Sequence, residues 1–182
     1  MIQTDKDAYL SGIERVLISG GEIQQEIRKA GKWIDMYYAG KPLLLVSILK
    51  GAFIFLADLC RAVTIPCEVG FMQVQSYFAG TVSSGSVDIL LDLQQDISQY
   101  HVLIVEDIID TGRTLSLVAE KLRSRKPLSL KILTLLDKPE RREADLRPDY
   151  ALFTIPDVFV IGYGLDCGEY YRNLPDIAVY RT

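Results

Sequence analysis

The sequence predicts an α/β fold built on a mainly parallel sheet. Continuous apolar runs of strand length recur, LLLVSI at 43–48, HVLIV at 101–105 and LKILTLL at 130–136, the pattern of strands covered on both faces. Between them lie segments whose apolar residues recur every three or four positions, the stripe of an amphipathic helix. The two kinds alternate along the chain, the order that a helix-flanked parallel sheet requires.

The elements follow in order. Ile23, Ile27, Ala30, Ile34 and Tyr37 or Tyr38 mark a helix over 22–38, closed by Gly40 and Pro42. LLLVSI is the first buried strand. AFIFLADLCRAV, 52–63, returns to helical spacing through Phe53, Leu56, Leu59 or Cys60, and Val63. After Pro66, CEVGFMQVQSYF (67–78) alternates as a strand, and AGTVSSGS (79–86) is a small, polar loop. VDILLDL (87–93) reads as a short strand or ribbon. HVLIV is followed by a helix marked by Leu115, Val118, Ala119 and Leu122, then by strands at LKILTLL and VFVIGYG (158–164). DKPERREADLRPDY, 137–150, is a charged connection long enough to be functional. No composition shift, repeat or low-complexity tract divides the 182 residues, so one domain over 1–182 is expected.

The 49% apolar and 24% charged fractions are those of a soluble globular protein. A formal charge of −4 argues against a general nucleic-acid binder, yet a nest of backbone amides binds phosphate even on an acidic protein. The cysteines, Cys60, Cys67 and Cys167, are odd in number and form no CxxC pair. That disfavours a disulfide framework or a zinc site and fits reduced thiols in a cytosol. MIQTDKDAYLSG has no apolar core of a signal peptide. The apolar stretch 42–60 is interrupted at Lys50-Gly51 and reads as two elements rather than a membrane span. The lone His101 has no metal-ligand partner nearby and is read as structural.

The chemistry concentrates in VLIVEDIIDTGRTL, 102–115. In open α/β sheets ligands bind outside the carboxyl ends of the strands. Glu106 and Asp107 stand at such an end, and Asp110-Thr111-Gly112-Arg113-Thr114 leads into a helix whose first amides form a phosphate site. Gly112 permits close approach, and the Thr111 and Thr114 hydroxyls add donors. The carboxylates repel phosphate, so they suit a ribose diol, a hard cation such as Mg²⁺, or a proton in transit. The blander reading, a helix N-cap and a solvated strand end, needs one carboxylate rather than three beside a buried strand. No GxxxxGK[ST] occurs, and GYG at 162–164 runs into Leu165-Asp166 instead of opening a dinucleotide-binding helix.

VLIVEDIIDTGRTL resembles the phosphoribosyl-pyrophosphate (PRPP) signature of the type I phosphoribosyltransferases. SILKGAFIFLADLCRA (47–62), QSYF (75–78), LTLLDKPERRE (133–143) and IPDVFVIGYGLDCGEYYRNLP (155–175) lie in order and resemble the hypoxanthine-guanine branch in bacterial form. The resemblance implies the type I fold, a mainly parallel twisted sheet flanked by helices with a small hood from the terminal segments. It implies purine salvage: 5-phosphoribosyl passes from PRPP to hypoxanthine or guanine, giving IMP or GMP and pyrophosphate, with Mg²⁺ as cofactor. It further implies a cytoplasmic homodimer or homotetramer with no nucleic-acid or membrane partner.

By position, the resemblance gives Asp110, Thr111, Gly112, Arg113 and Thr114 to the 5′-phosphate, and Glu106 and Asp107 to the ribose hydroxyls, directly or through Mg²⁺. Asp110 is also the proton acceptor near purine N7. Lys50-Gly51 matches the pyrophosphate loop, where a non-proline cis peptide is expected. Lys138 matches the donor to the purine 6-oxygen, Phe159 the stacking aromatic, and the Val160 backbone the reader of the 2-position edge. By pattern alone Lys138 suits a solvated loop equally well, and Phe159 suits the core better. Asp166 matches a ligand of the pyrophosphate-side Mg²⁺, Arg172 a pyrophosphate contact, and Arg142 a further one. Ser76 and Tyr77 open a lid over 76–86. Val158 departs from the pattern where it bears on base preference, Phe78 departs where glycine is expected and bears on the hinging of the lid, and Arg113 falls where the pattern is variable; Lys138, Phe159 and Val160 imply 6-oxopurines and leave the ranking of hypoxanthine, guanine and xanthine open. The rivals are an enzyme preferring xanthine or another base, and a non-catalytic PRPP-sensing regulator.

Overall fold

The computed structural model describes residues 6–76 and 87–181. The elements are α1 (Lys6–Ser11), β1 (Ile13–Ile18), α2 (Gly20–Tyr38), β2 (Leu43–Leu49), α3 (Phe53–Ala62), β3 (Glu68–Ser76), β4 (Val87–Leu91), β5 (His101–Ile109), α4 (Arg113–Ser124), β6 (Ser129–Asp137), β7 (Tyr150–Thr154), β8 (Val160–Ile161) and β9 (Ile177–Tyr180), with a 3₁₀ turn at Pro139–Arg141. A six-stranded sheet has the order β4-β3-β2-β5-β6-β7. All its pairs are parallel except β3 with β4.

Side chains alternate across this sheet, and the alternation makes two cores. Leu43, Leu45, Leu103, Val105, Leu133 and Leu135 face the α2–α3 side, against Ile23, Ile27, Ile34, Phe55 and Leu59. Leu44, Val46, Val102, Ile104 and Ile132 face α4, against Leu115, Val118, Ala119 and Leu122. Helix α2 begins one turn before the apolar stripe because Ser19 and Glu22 form a reciprocal capping box. Its stripe ends on buried Tyr38, while Tyr37 is exposed. Helix α3 buries Phe55 where the spacing pointed to Phe53, which is exposed.

A second sheet, β1-β9-β8, is antiparallel and draws its strands from both terminal segments. This is the hood, with a small core of Ile161, Tyr171 and Ala178. The predicted strand 158–164 shrinks to Val160–Ile161, because the chain enters positive φ at Gly162, Tyr163 and Gly164. His101 Nδ1 lies 2.7 Å from Ser129 Oγ, a structural contact between neighbouring strands. The three cysteines are free thiols, and among the described residues no helix is long and apolar enough to cross a membrane.

Candidate active site

Strand β5 runs through Ile109, so Glu106 and Asp107 lie within the strand rather than past its end. Pairing with β6 continues from Glu106↔Thr134 to Ile109↔Asp137 and carries it there. Both carboxylates are half-buried. Burial, and then Asp107 beside it, holds the Glu106 carboxyl well above the usual range. Burial pushes Asp107 up to about 6, opposed by backbone amides and the Arg172 guanidinium; the Ile108 amide donates to its Oδ1 at 2.9 Å. Glu106 Oε2 is shut off from solvent with no hydrogen-bond partner. Hydroxyl donors or a hard cation would complete such a pair.

Past the strand, Gly112 caps α4 at φ +78°, a conformation a side chain strains. The first-turn amides of the helix have no carbonyl four residues back, and they open beside Asp110 and Thr111. Thr111 Oγ1 accepts from the Arg113 amide at 3.4 Å, and the Arg113 guanidinium pairs with Glu143. Arg142 braces this loop. Its Nε donates to Asp110 O at 2.9 Å, Nη1 to Leu146 O at 2.6 Å and Nη2 to Ile109 O at 3.2 Å, and it pairs with Asp137. Arg142 is therefore a support of the 109–112 loop, with Nε, Nη1 and Nη2 all engaged by protein oxygens.

Across the cleft, the Leu49–Lys50 peptide is cis, in the loop where the resemblance places such a bond. Gly51 presses on Asp107: a Cβ there would collide with Asp107 Oδ2. Gly164, at φ +102°, is crowded in the same way by the Gly51 carbonyl. Lys50 Nζ reaches Glu169 Oε2 at 3.1 Å. Arg172 Nη2 lies 2.9 Å from Asp166 Oδ1 and 3.3 Å from Glu169 Oε2, and Nη1 donates to Gly164 O at 2.8 Å. Asp166 Oδ2 accepts from the Glu169 amide at 2.9 Å. Lys50, Gly51, Asp107, Asp166 and Arg172, distant in sequence, converge.

On the remaining side, Lys138 is buried, and its Nζ donates to Val158 O at 2.7 Å. Its amide donates to Ile109 O at 3.0 Å, which fixes it beside the end of β5. Phe159 is 49% exposed, open where pattern alone would bury it, and meets Tyr180 edge-on at 5.8 Å between ring centres. Val160 is buried and pairs with Val179. The Lys138–Val158 bond thus ties the main sheet to the hood segment that carries Phe159 and Val160. Ser76 ends β3; Tyr77 and the rest of the lid segment to 86, Phe78 included, lie outside the described residues.

Three charged residues that sequence reasoning did not single out join the site. Arg141 lies 2.9 Å from Asp110 and 3.5 Å from Asp157, and Glu169 bridges Lys50 and Arg172. The signals in sequence were faint, an Arg-Arg doublet after Lys138 and an acid three residues past Asp166. Among the described residues no group of three or more His, Cys, Asp or Glu side chains converges as a ready-made metal cage. Glu106 and Asp107 nevertheless fit Mg²⁺. They are hard oxygen donors, one of them unpartnered, and Mg²⁺ is commonly held by one or two carboxylates plus substrate oxygens.

Residues 19–167 match the model of the phosphoribosyl transferase domain family. The hypoxanthine-guanine phosphoribosyltransferase of Streptococcus pneumoniae is 49% identical over 169 residues, covering 93% of this chain and 94% of that one. The hypoxanthine phosphoribosyltransferase of Salmonella typhimurium is 50% identical over 162 residues, covering 88% and 91%. The crystal structure of a hypoxanthine phosphoribosyltransferase from Staphylococcus aureus superposes with a TM-score of 0.92 at 44% identity, covering 98% and 97%. A sheet with a terminal-segment hood, a carboxylate pair ahead of a glycine-capped helix, and similarity over nearly the whole length agree, and the chain belongs to the phosphoribosyltransferase family, in its hypoxanthine-guanine branch.

Proposed function

We propose that the chain, as one domain, transfers 5-phosphoribosyl from PRPP to hypoxanthine or guanine, forming IMP or GMP and releasing pyrophosphate. The observation that carries this reading is the Glu106–Asp107 pair, with an unpartnered buried oxygen, set directly ahead of a glycine-capped helix N-terminus. The α4 amides with Thr111 and Thr114 hold the 5′-phosphate, Arg113 flanks it, and Glu106 and Asp107 hold the ribose hydroxyls. The C1–oxygen bond to pyrophosphate breaks as the bond from C1 to the purine nitrogen forms, through an oxocarbenium-like sugar. Lys50 and Arg172 face the departing charge and Gly51 lets the pyrophosphate approach. Lys138 donates to the purine 6-oxygen, Phe159 stacks on the ring, and the Val160 backbone meets its 2-position edge. Asp110 takes the proton released from the purine, a step worth roughly 10²–10⁴-fold. Mg²⁺, when bound by Glu106, Asp107 or Asp166 together with substrate oxygens, supplies charge neutralisation at the sugar and the leaving group. The segment from Ser76 and Tyr77 to 86 is proposed as the lid that excludes water.

A panel of hypoxanthine, guanine, xanthine and adenine with PRPP and Mg²⁺, followed by pyrophosphate release, tests the reading. Turnover with hypoxanthine or guanine is expected; a dominant xanthine rate points to the rival base preference, and PRPP binding with no turnover points to a regulator. Asp110→Asn is expected to lose most of the rate while PRPP binding stays within about threefold; wild-type turnover would remove Asp110 from its role. The exposed Phe53, Val69, Phe71 and Leu91 support a homodimer or homotetramer, read by sedimentation equilibrium. The free thiols support a cytoplasmic setting.

A further inference from the structure

We infer that Arg141 is a positioning residue for the transfer, holding one oxygen of Asp110 so that the other faces the incoming base. The inference rests on the reading of Asp110 as proton acceptor. Arg141 ends the 3₁₀ turn that follows Lys138, and this turn brings its guanidinium back over the cleft. Nε lies 2.9 Å from Asp110 Oδ1, and Nη1 lies 3.5 Å from Asp157 Oδ1. Asp157 Oδ1 is also 3.8 Å from Lys138 Nζ. Four side chains of alternating charge, Asp110, Arg141, Asp157 and Lys138, thus link the end of β5, the turn after β6 and the segment ahead of β8.

The two oxygens of Asp110 are not equivalent. Oδ1 is shut off from solvent and accepts no hydrogen bond, so the Arg141 contact is an ion pair, whereas the side chain as a whole is 41% exposed. The exposure therefore falls on the rest of the side chain, the part that includes Oδ2. An aspartate on a loop has broad freedom about its terminal torsion, and a proton acceptor must present its lone pair within hydrogen-bond reach of the proton. The guanidinium, with Nε 2.9 Å from Oδ1, is suited to hold that oxygen and with it the carboxylate plane. Asp157 in turn holds Arg141 in place and offsets its charge beside Lys138. Arg141 acts through Asp110 and touches no reacting atom. Because this ion pair is nearly half exposed, it adds little to stability, so a kinetic effect can be read apart from folding.

The test is a double-mutant cycle on the single-turnover rate of transfer to hypoxanthine, which excludes product release. Arg141→Gln is expected to slow transfer about five- to tenfold, with PRPP affinity within about twofold and an unchanged unfolding midpoint. Arg141→Lys, which keeps the charge and loses the fork, is expected to recover part of the rate. Added to Asp110→Asn, Arg141→Gln is expected to cost nothing further. A wild-type rate in Arg141→Gln overturns the inference, and so does a full second loss on top of Asp110→Asn, since Arg141 would then act independently of that carboxylate. A wild-type rate in Asp110→Asn alone overturns the underlying proton-acceptor reading instead, so the two failures are distinct.

Discussion

Arg142 carries the 109–112 loop from behind, with its stem against Gly112 and its donors on Asp110 O, Ile109 O, Leu146 O and Asp137. A lysine keeps the charge but is a point donor and cannot span those acceptors. Arg142→Lys is expected to cost about 1–3 kcal/mol of stability, seen as a lower urea midpoint, and to weaken PRPP binding because the loop loses its brace. An unchanged midpoint and affinity would show that the brace is idle. This role was not legible in the sequence, where Arg142 is one cation in a charged connection. What can be read locally is a contiguous motif such as 106–114, whose parts are held together by the chain itself. Whether Lys138 is buried or Phe159 open depends on the hood, which arrives from residues far away. Cys60 offers a pH-dependent check of the packing. Burial, reinforced by Cys67 and opposed by Arg61, pushes its thiol up to about 11. A raised thiol pKa keeps the protonated form as pH rises, so alkylation at Cys60 should climb with pH toward that value in the folded protein. In urea it should level off near the free-thiol value of about 8.5. Peptide mass spectrometry after iodoacetamide pulses reads both curves, and identical curves would mean that Cys60 is not packed as described.

At the scale of elements, the runs buried on both faces were legible because their chemistry is unmistakable: β2 is apolar at nearly every position and emerges between two cores. Of the hood strands only β8 was foreseen, inside 158–164; β1 and β9 were not. IERVLI of β1 alternates poorly and buries only Ile18, and β9 is four residues long; pairing with each other, more than either sequence, makes them strands. β7, which begins at the last residue of the charged connection, was missed for a similar reason, since it is a short edge strand. Helix α2 shows how packing overrides propensity. Gly31 lies buried in the middle of the helix, and a Cβ there would meet the Ala62 carbonyl oxygen at 2.5 Å and its carbon at 2.9 Å. Alanine gains about 1 kcal/mol of helix propensity over glycine, while forcing an extra atom into a tight contact costs typically 1–3 kcal/mol. The obstacle is backbone and cannot swing aside, so the packing term wins. Gly31→Ala is expected to lower the urea midpoint, and a higher midpoint would mean that α2 and α3 separate more easily than this contact implies.

For the whole molecule, the division of cores bears on how the site opens. The main sheet is held by two large clusters on its two faces, whereas the hood rests on Ile161, Tyr171 and Ala178 with partly buried neighbours. The candidate site straddles these unequal parts: the carboxylates, the 110–114 loop and Lys138 belong to the main sheet, and Phe159 and Val160 to the hood. Elements with few buried apolar contacts open at lower free energy than the global transition, so the hood should open as a unit while the six-stranded sheet stays closed. The amides of Ile161, Ala178 and Val179 are then expected to exchange through openings about 2 kcal/mol or more below the global free energy, and those of Leu45, Ile104 and Val105 only through global unfolding. Ligands that bridge both parts should close the gap: IMP is expected to protect the hood amides, because Phe159 and the phosphate loop would then grip one molecule, whereas inorganic phosphate alone should leave them unprotected. Native-state hydrogen exchange over a urea series reads both statements. Equal exchange free energies in the two sheets would mean that the hood is fully cooperative with the main sheet and that the base side of the cleft does not open on its own.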